Sequence, residues 1–274
     1  VRSRGLGDVY KRQLLEGIYF TAYNLQNAYP LFGTTLSAVT FIFLILVPVL
    51  TMKTIAEERK QKTDQLLLTA PVSVSEIVLG KFLAVATVYA IPVLIICLYP
   101  MIMGKYGTVS YAMAYTAVLG FALLGFAQIA VGVFWSSVTE NPVIAAVVTF
   151  IVLFVCYMIT GIGSLIPDSS MASLACYMLL VLLAAVWIYH MIRNLWIAAV
   201  IGIAGEAALA ITYVVKSTLF EGSIQKFLSV FDITSHFDNF TNGILDLQGV
   251  VYFLSVIIIF LVLTVQTITK RRWN

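Results

Sequence analysis

Membrane-length apolar runs recur along the chain and limit what it can fold into more than any other feature. Runs of about eighteen or more residues with few charges are typical of transmembrane helices, because about 20 residues cross a hydrocarbon core. Of the 274 residues, 61% are hydrophobic and 11% are charged, whereas soluble domains carry about 25% charged residues. A membrane β-barrel would need short alternating segments instead. The sequence therefore predicts an all-α polytopic membrane protein.

The apolar runs predict seven full transmembrane helices. At a rise of about 1.5 Å per residue, each run is long enough to cross the membrane. No internal repeat and no linker of biased composition divides them, so we expect a single membrane domain over residues 14–269. The predicted spans are residues 31–52, 76–103, 111–136, 141–163, 172–192, 196–216 and 249–269.

A dense group of charges separates the first two spans. Seven charged side chains fall within residues 53–64, and we call this segment the charge block. If the charge block is cytoplasmic, nine Lys and Arg residues lie on the inner side and three in outer loops, as the positive-inside rule requires. This orientation predicts a cytoplasmic basic tail at residues 270–274 and an outer interfacial segment at residues 217–248.

The N-terminal region does not fit seven spans. A cytoplasmic C-terminus would place the N-terminus outside together with four basic residues, against the same rule. Residues 14–23 are apolar and aromatic but too short to cross the membrane alone. We therefore expect them to end a first span that is truncated here, with eight spans in the intact protein. Residues 1–13 are polar, and we regard them as a candidate non-native segment.

The charge block predicts a short helix followed by re-entry into the membrane. Over residues 54–69, Glu58 and Lys62 form one of two opposite-charge pairs at a spacing of four, each worth about 0.2–0.5 kcal/mol on a helix. Pro71 cannot continue the backbone hydrogen bonds and ends that helix. The sequence Ser73–Glu76 is typical of a capping box that starts the next helix.

Two interpretations of the charge block are open. An ordinary solvated loop, with lysines reaching into water, would account for the charges alone. The apolar run at residues 66–68 is not needed by such a loop, whereas a helix offered to a groove on a soluble partner would use it. A nucleic-acid surface is not indicated, because the net charge is only +3 and the basic residues flank the apolar runs.

Three segments resemble those of one transporter family. Residues 56–84, AEERKQKTDQLLLTAPVSVSEIVLGKFLA, resemble the cytoplasmic coupling-helix region of ABC-2 type exporter permeases. The common pattern there is AEER, a Gly-Thr pair, a Leu-rich run, Pro, Ser and I-V-L-G-K, and Lys62 stands in place of that Gly. Residues 136–146 resemble the family's second inner turn. Residues 231–273 resemble the C-terminal end of its gliding-motility branch.

The resemblance implies an ABC-2 exporter fold and a permease subunit that works with a second permease subunit and with cytoplasmic ATPase subunits. Residues 54–69 would form the coupling helix, a lever that tilts the spans 31–52 and 76–103. The chain has no GxxxxGK[ST] phosphate loop, so we expect it to be no enzyme and to bind no cofactor, with ATP and Mg²⁺ on the partner subunit. The residues expected to contact the ATPase are Glu57, Glu58, Arg59, Lys60, Lys62, Thr63, Asp64 and Leu67.

Two polar residues inside predicted spans are candidates for a translocation path, Glu206 and Gln128. Glu206 lies near the middle of its span, where a charge costs at least about 2.5 kcal/mol. A structural role is the alternative, in which Glu206 joins helices while Gly202 and Gly205 allow close approach. Two other functions stay open: a proton-coupled secondary transporter that uses Glu206, and a non-transporting membrane scaffold. Sparse intramembrane charge disfavours the former.

No metal site is predicted from the sequence. Asp232, His236 and Asp238 match no standard ligand spacing. The phenylalanines among them predict instead an amphipathic helix on the outer interface, with Phe227, Phe231 and Phe240 buried there. The three cysteines lie in apolar runs without CxxC spacing and are expected to be small buried hydrophobes.

Overall fold

Every regular element is helical in the parts of the chain that the computed structural model describes, residues 13–26, 32–64, 72–105, 107–192 and 194–272. The all-α prediction is confirmed for these residues. A π-helical turn, Thr21–Gln26, precedes the first long helix, and a 3₁₀ turn, Ser217–Phe220, follows α8. Residues 13–20 are also α-helical. The α-helices that follow them are α1 (Phe32–Thr51), α2 (Ala56–Lys60), α3 (Val74–Ile96), α4 (Tyr99–Met103), α5 (Tyr111–Val138), α6 (Pro142–Ser164), α7 (Ser170–Ile192), α8 (Leu195–Val215), α9 (Ser223–Ser229), α10 (Ser235–Thr241) and α11 (Leu247–Arg272).

Five helical stretches within the described ranges are long and apolar enough to cross a membrane. A sixth crossing results if Ala199–Val215 and Ser217–Ser229, which are bent by 116°, form one broken span. The chain is therefore a multi-pass membrane protein. Six of the seven predicted spans largely coincide with one helix each, whereas the span 76–103 covers both α3 and α4. The number of crossings stays a prediction. The five stretches are Phe32–Lys60, Val74–Met103, Tyr111–Val138, Pro142–Ser164 and Leu247–Arg271.

The chain divides into two compact units, and the boundary between them falls within α6. The first unit comprises residues 1–155 and 233–274, and the second comprises residues 156–232. The expectation of a single domain over residues 14–269 stays a prediction.

Helix α5 is the central helix of the first unit. Of the 18 most apolar consecutive residues of α5, 72% are buried, whereas 17% of the corresponding residues of α11 are buried. Small residues bring neighbouring helices close to it: a Cβ on Gly125 would overlap the ring of Tyr89 in α3, and a Cβ on Gly132 would overlap the side chain of Thr51 in α1. The Tyr89 hydroxyl donates to the carbonyl of Phe121 at 2.7 Å, so its polar end is satisfied inside the bundle.

Local sequence signals fix the starts of two helices. The Ser73 hydroxyl accepts from the backbone N–H of Glu76 at 3.3 Å, and the Glu76 carboxylate accepts from the N–H of Ser73 at 3.0 Å. This reciprocal pair is the predicted capping box at the start of α3. Helix α6 begins at Pro142, and the Asn141 side chain accepts from the N–H of Val143 at 2.9 Å.

Helix α10 packs inside the first unit. Phe237 and Phe240 are fully buried, and the ring of Phe240 lies 6.3 Å from that of Phe253 in α11. Phe240 is thus buried among helices, where the sequence suggested burial in a membrane interface. In the second unit, Phe227 and Phe231 are 41% and 48% exposed.

The second unit is built on α7 and α8, which pack against each other. Gly202 and Gly205 of α8 face Ala185 and Val181 of α7, as expected if small residues allow close approach. The carboxylate of Asp232, which is 3% exposed, accepts a hydrogen bond from the Thr160 hydroxyl.

Candidate functional site at the charged end of the helix bundle

The charge block lies at one end of the first unit, together with the α5–α6 turn and the end of α11. Glu58 and Arg59 of the block share a shallow pocket with Lys81 of α3 and Arg271 of α11. Arg271 also pairs with Glu140 of the α5–α6 turn at 3.3 Å. We call this region the charged end. The segments predicted to be cytoplasmic are therefore neighbours, while the side of the membrane that they face stays a prediction.

Helix α2 forms the ordered start of the charge block. Its N-cap residue is Ile55, whose side chain cannot accept a hydrogen bond. The Ser136 hydroxyl of α5 takes that role, because it accepts from the N–H groups of Ile55 and Ala56, both at 3.1 Å. The same hydroxyl donates to the carbonyl of Met52 at 3.1 Å. A serine of another helix thus caps α2.

Arg59 points into the protein, unlike its charged neighbours. It is 6% exposed, and its Nη1 donates to the carbonyls of Ser137 and Thr139, the latter at 3.3 Å. Its Nε and Nη2 atoms are buried without a hydrogen-bond partner in the described part of the chain. Arg59 therefore holds the block against the end of α5, although the sequence placed it among the residues that meet a partner.

The helix predicted over residues 54–69 is interrupted after Lys60. The N–H of Thr63 donates to the carbonyl of Glu58 at 2.9 Å, and that of Lys62 donates to the carbonyl of Arg59 at 3.1 Å. These two bonds form a Schellman motif, whose penultimate position is left-handed and favours glycine. Lys62 occupies that position with φ +57°, so a lysine stands where glycine would fit without strain.

The ion pairs of the charge block differ from the predicted ones. Glu58 pairs with Lys81 of α3 at 2.5 Å, and Lys81 also donates to the carbonyl of Thr54 at 3.0 Å. Glu57 pairs with Lys53 at 3.6 Å. The turn after α2 carries Lys62 away from Glu58, so the predicted i,i+4 pair is wrong.

The remaining charge-block residues are open to solvent to different degrees. Lys60, Lys62 and Thr63 are exposed, and Glu57, Glu58 and Asp64 are half-buried. Together they form a mixed-charge surface, and the segment that carries it is attached to the end of α5 through Ser136 and Arg59. Leu67 and the rest of residues 65–71, including Pro71, lie outside the described residues.

The two candidates for a translocation path belong to different units. Gln128 of α5 is 4% exposed, and its Oε1 has no hydrogen-bond partner among the residues described. Glu206 of α8 lines a groove of about 490 Å³ between α7 and α8. Both of its carboxylate oxygens are buried without a hydrogen-bond partner in the described ranges. The other lining residues are Met178, Leu182, Ala185, Ala199, Gly202, Ile203, Ala207 and Ala210.

Two of the residues weighed as metal ligands, Asp232 and His236, make other contacts. Asp232 accepts from Thr160, and the His236 ring stacks on Tyr252 with centroids 3.9 Å apart. Among the described residues no three His, Cys, Asp or Glu side chains lie close enough together to hold a metal ion.

Sequence reasoning missed Ser136. It lies 80 positions from Ala56, and no local pattern links the two. The available signal was a pair of serines ending an apolar span within residues 136–146, a segment that the sequence marked only as a turn.

One family of known proteins matches nearly the whole chain. The sequence model described as ABC-2 family transporter protein matches residues 11–271. No curated protein and no solved structure matches the chain.

Proposed function

The chain belongs to the ABC-2 family of transporter proteins, and on this premise we propose that it is the permease subunit of an exporter driven by ATP hydrolysis on a separate ATPase subunit. The observation that carries the proposal is the charge block, a mixed-charge surface held rigidly at the end of an apolar helix bundle. The chain contains no phosphate-loop sequence of its own, so ATP chemistry would be supplied by the partner.

The contact with the ATPase is assigned to the outward part of the charge block. Lys60, Lys62 and Thr63 are open to a partner, and the half-buried Glu57, Glu58 and Asp64 border them. Leu67 follows in the sequence and completes the proposed contact. Arg59 is reassigned from this contact to a positioning role, because its guanidinium is buried against α5.

The proposed assembly contains two permease subunits and two ATPase subunits in a lipid bilayer, with the charged end and the C-terminus in the cytoplasm. The concentration of Lys and Arg at this end supports that orientation. The second permease subunit is a copy of this chain or a related chain.

A charge-reversal experiment tests the proposed contact. The double variant Glu57→Lys with Lys60→Glu should reduce co-purification of the chain with its ATPase subunit, because it inverts the charge pattern without changing the net charge. The matched control is Glu221→Lys with Lys226→Glu, an equal exchange at exposed residues of the predicted outer segment. Complex formation and nucleotide response at parental levels in the charge-block variant would contradict the proposal.

A second feature, the carboxylate of Glu206, supports a translocation path that uses this residue, and Gln128 of the first unit stays a separate candidate. An acidic side chain whose oxygens lack partners in an apolar groove is costly, and such residues within membranes tend to be functional. This observation also favours the second candidate function, a proton-coupled transporter. In an ATP-driven exporter, ATP would change the environment of Glu206, whereas in a proton-coupled transporter a proton gradient would change it.

Carbodiimide labelling distinguishes these roles. Dicyclohexylcarbodiimide, which partitions into membranes, should modify Glu206 to an extent that changes when ATP with Mg²⁺ is added to the reconstituted complex. Glu206→Gln is the control for the site of modification. Labelling that responds to a proton gradient but not to ATP would favour the proton-coupled transporter, and labelling that responds to neither would indicate a residue that only joins helices.

A further inference from the structure

One serine, Ser136, uses all of its hydrogen-bonding positions to bind the start of the charge block. A hydroxyl offers one donor and two acceptor positions, and Ser136 uses all three, on Met52, Ile55 and Ala56. Ser136 is fully buried, so water does not compete for these positions. The backbone turn that joins α1 to α2 is therefore bound to the last turns of α5.

Arg59 provides a second attachment to the same place. Its Nη1 donates to the carbonyls of Ser137 and Thr139, which the end of α5 leaves without intrahelical partners. A cation at a helix C-terminus also interacts favourably with the helix dipole. Because the side chain is 6% exposed, this contact is screened far less than a surface ion pair.

The attachment of the block to α3 is more open to solvent. Lys81, whose side chain is 17% exposed, pairs with Glu58, whose side chain is 38% exposed, and donates to the carbonyl of Thr54 at 3.0 Å. The more an ion pair is open to solvent, the less it contributes to stability. The direct connection to α1 is covalent, and Thr51 at the end of α1 packs against Gly132 of α5. The charge block, the end of α1 and the end of α5 thus form one fixed piece.

We propose that Ser136 and Arg59 are positioning residues that deliver movement of the charge block to α5, the buried central helix. This inference rests on the proposed function, in which an ATPase subunit moves the charge block. The lever would then act on α5 together with α1, and α3 would follow through its more exposed contact.

Hydrogen exchange tests the attachment itself, without a partner or a cargo. In Ser136→Ala the backbone amides of Ile55 and Ala56 should exchange at least about fivefold faster, because each loses a hydrogen bond. The matched control is Ser137→Ala. The Ser137 hydroxyl is equally buried and donates within α5 to Phe134 at 2.7 Å, so its loss should leave those two amides unchanged.

Cysteine labelling tests whether movement of the charge block reaches α5. Ala112 is exposed at the opposite end of α5, and Ala112→Cys can be placed in a chain whose native cysteines are replaced by alanine. In the complex with the ATPase subunit, its reaction with a membrane-impermeant maleimide should change when ATP, Mg²⁺ and vanadate are added. That change should be lost in Ser136→Ala and in Arg59→Lys, and retained in Ser137→Ala.

The possible results distinguish failure of this inference from failure of the proposed function. If Ser136→Ala still co-purifies with the ATPase subunit but the nucleotide-dependent labelling is lost, the inference is supported. Unchanged exchange at Ile55 and Ala56, or retained labelling change in both variants, overturns the inference and leaves the proposed function standing. No labelling change in a parent chain that still co-purifies with the ATPase subunit overturns the inference alone, and failure of the parent chain to co-purify overturns both.

Discussion

At the scale of single residues, Lys62 shows how one backbone angle determines the shape of the charge block. A left-handed conformation costs a non-glycine residue about 1–2 kcal/mol, and Lys62 adopts it with φ +57°. The turn that results ends α2 and exposes Thr63 beside Lys60. The strain is local and lies in the segment proposed to meet the partner.

Replacing Lys62 by glycine should therefore strengthen the turn. Glycine adopts the left-handed region without a Cβ penalty, although it loses more entropy on folding, so a net gain of up to about 1 kcal/mol is expected. In the isolated permease subunit, Lys62→Gly should slow hydrogen exchange of the Thr63 amide, which is bonded to Glu58. Lys62→Ala removes the same charge but keeps the strain. Equal protection in the two variants would show that the backbone angle is not the cause.

At the scale of elements, the sequence predicts the structure correctly where the evidence lies in residues that are close together in the chain. The apolar runs place the long helices, and the Ser73 and Glu76 pair and Pro142 mark helix starts, because capping chemistry depends on residues within one turn. Glu206 and Gln128 are conspicuous in the sequence because polar groups are rare in apolar spans, and their role in a translocation path stays a prediction.

The missed features depend on distant parts of the chain. The cap of α2 comes from Ser136, 81 positions from Ile55. The inward direction of Arg59 depends on free carbonyls at the end of α5, so its sequence neighbourhood could not separate it from Glu58 or Lys60. The burial of Phe240 likewise requires the partner helix α11.

The start of α11 carries a pH-dependent cap. Asp246 accepts from the Asn239 side chain at 2.9 Å and from the N–H of Gln248 at 2.9 Å. The hydrogen bond from Asn239, followed by those of the backbone N–H groups, holds the pKa of the Asp246 carboxyl below its ordinary value of 3.8. Its contribution to stability is fully present above that ordinary value and is lost as the pH falls through the lowered pKa.

Titration of Asp246 by carboxyl ¹³C NMR should therefore give a midpoint below that of an unstructured aspartate. Asn239→Ala should move the midpoint up toward the ordinary value, because it removes the largest cause of the lowering. Gln248→Ala, which keeps its backbone N–H, serves as the control and should leave the midpoint in place. An unchanged midpoint in Asn239→Ala would contradict this account of the cap.

At the scale of the whole molecule, family membership and the helices long enough to cross a membrane identify a membrane component of a transporter. The family match covers residues 11–271, which includes the charge block, both path candidates and all of α11 except Arg272. The proximity of the charge block to Arg271 means that these two regions must lie on the same side of the membrane. The distribution of Lys and Arg predicts that this side is the cytoplasm.

Accessibility in intact cells tests this orientation. In a chain whose native cysteines are replaced, Glu221→Cys should react with an impermeant maleimide added from outside. Thr63→Cys and Lys270→Cys should react only after the membrane is permeabilised. Labelling of Thr63→Cys and Lys270→Cys from opposite sides would contradict the structure, and labelling of both from outside would reverse the predicted orientation.

We propose that the charge block is the surface through which an ATPase subunit drives this permease. Site-specific photocrosslinking from Lys60, with Glu221 as the matched exposed control, is a direct test. We expect a covalent adduct between the Lys60 position and the ATPase subunit in native membranes, with a yield that changes when ATP is added, and no such adduct from Glu221. The absence of an adduct from Lys60, or equal adducts from both positions, would contradict it.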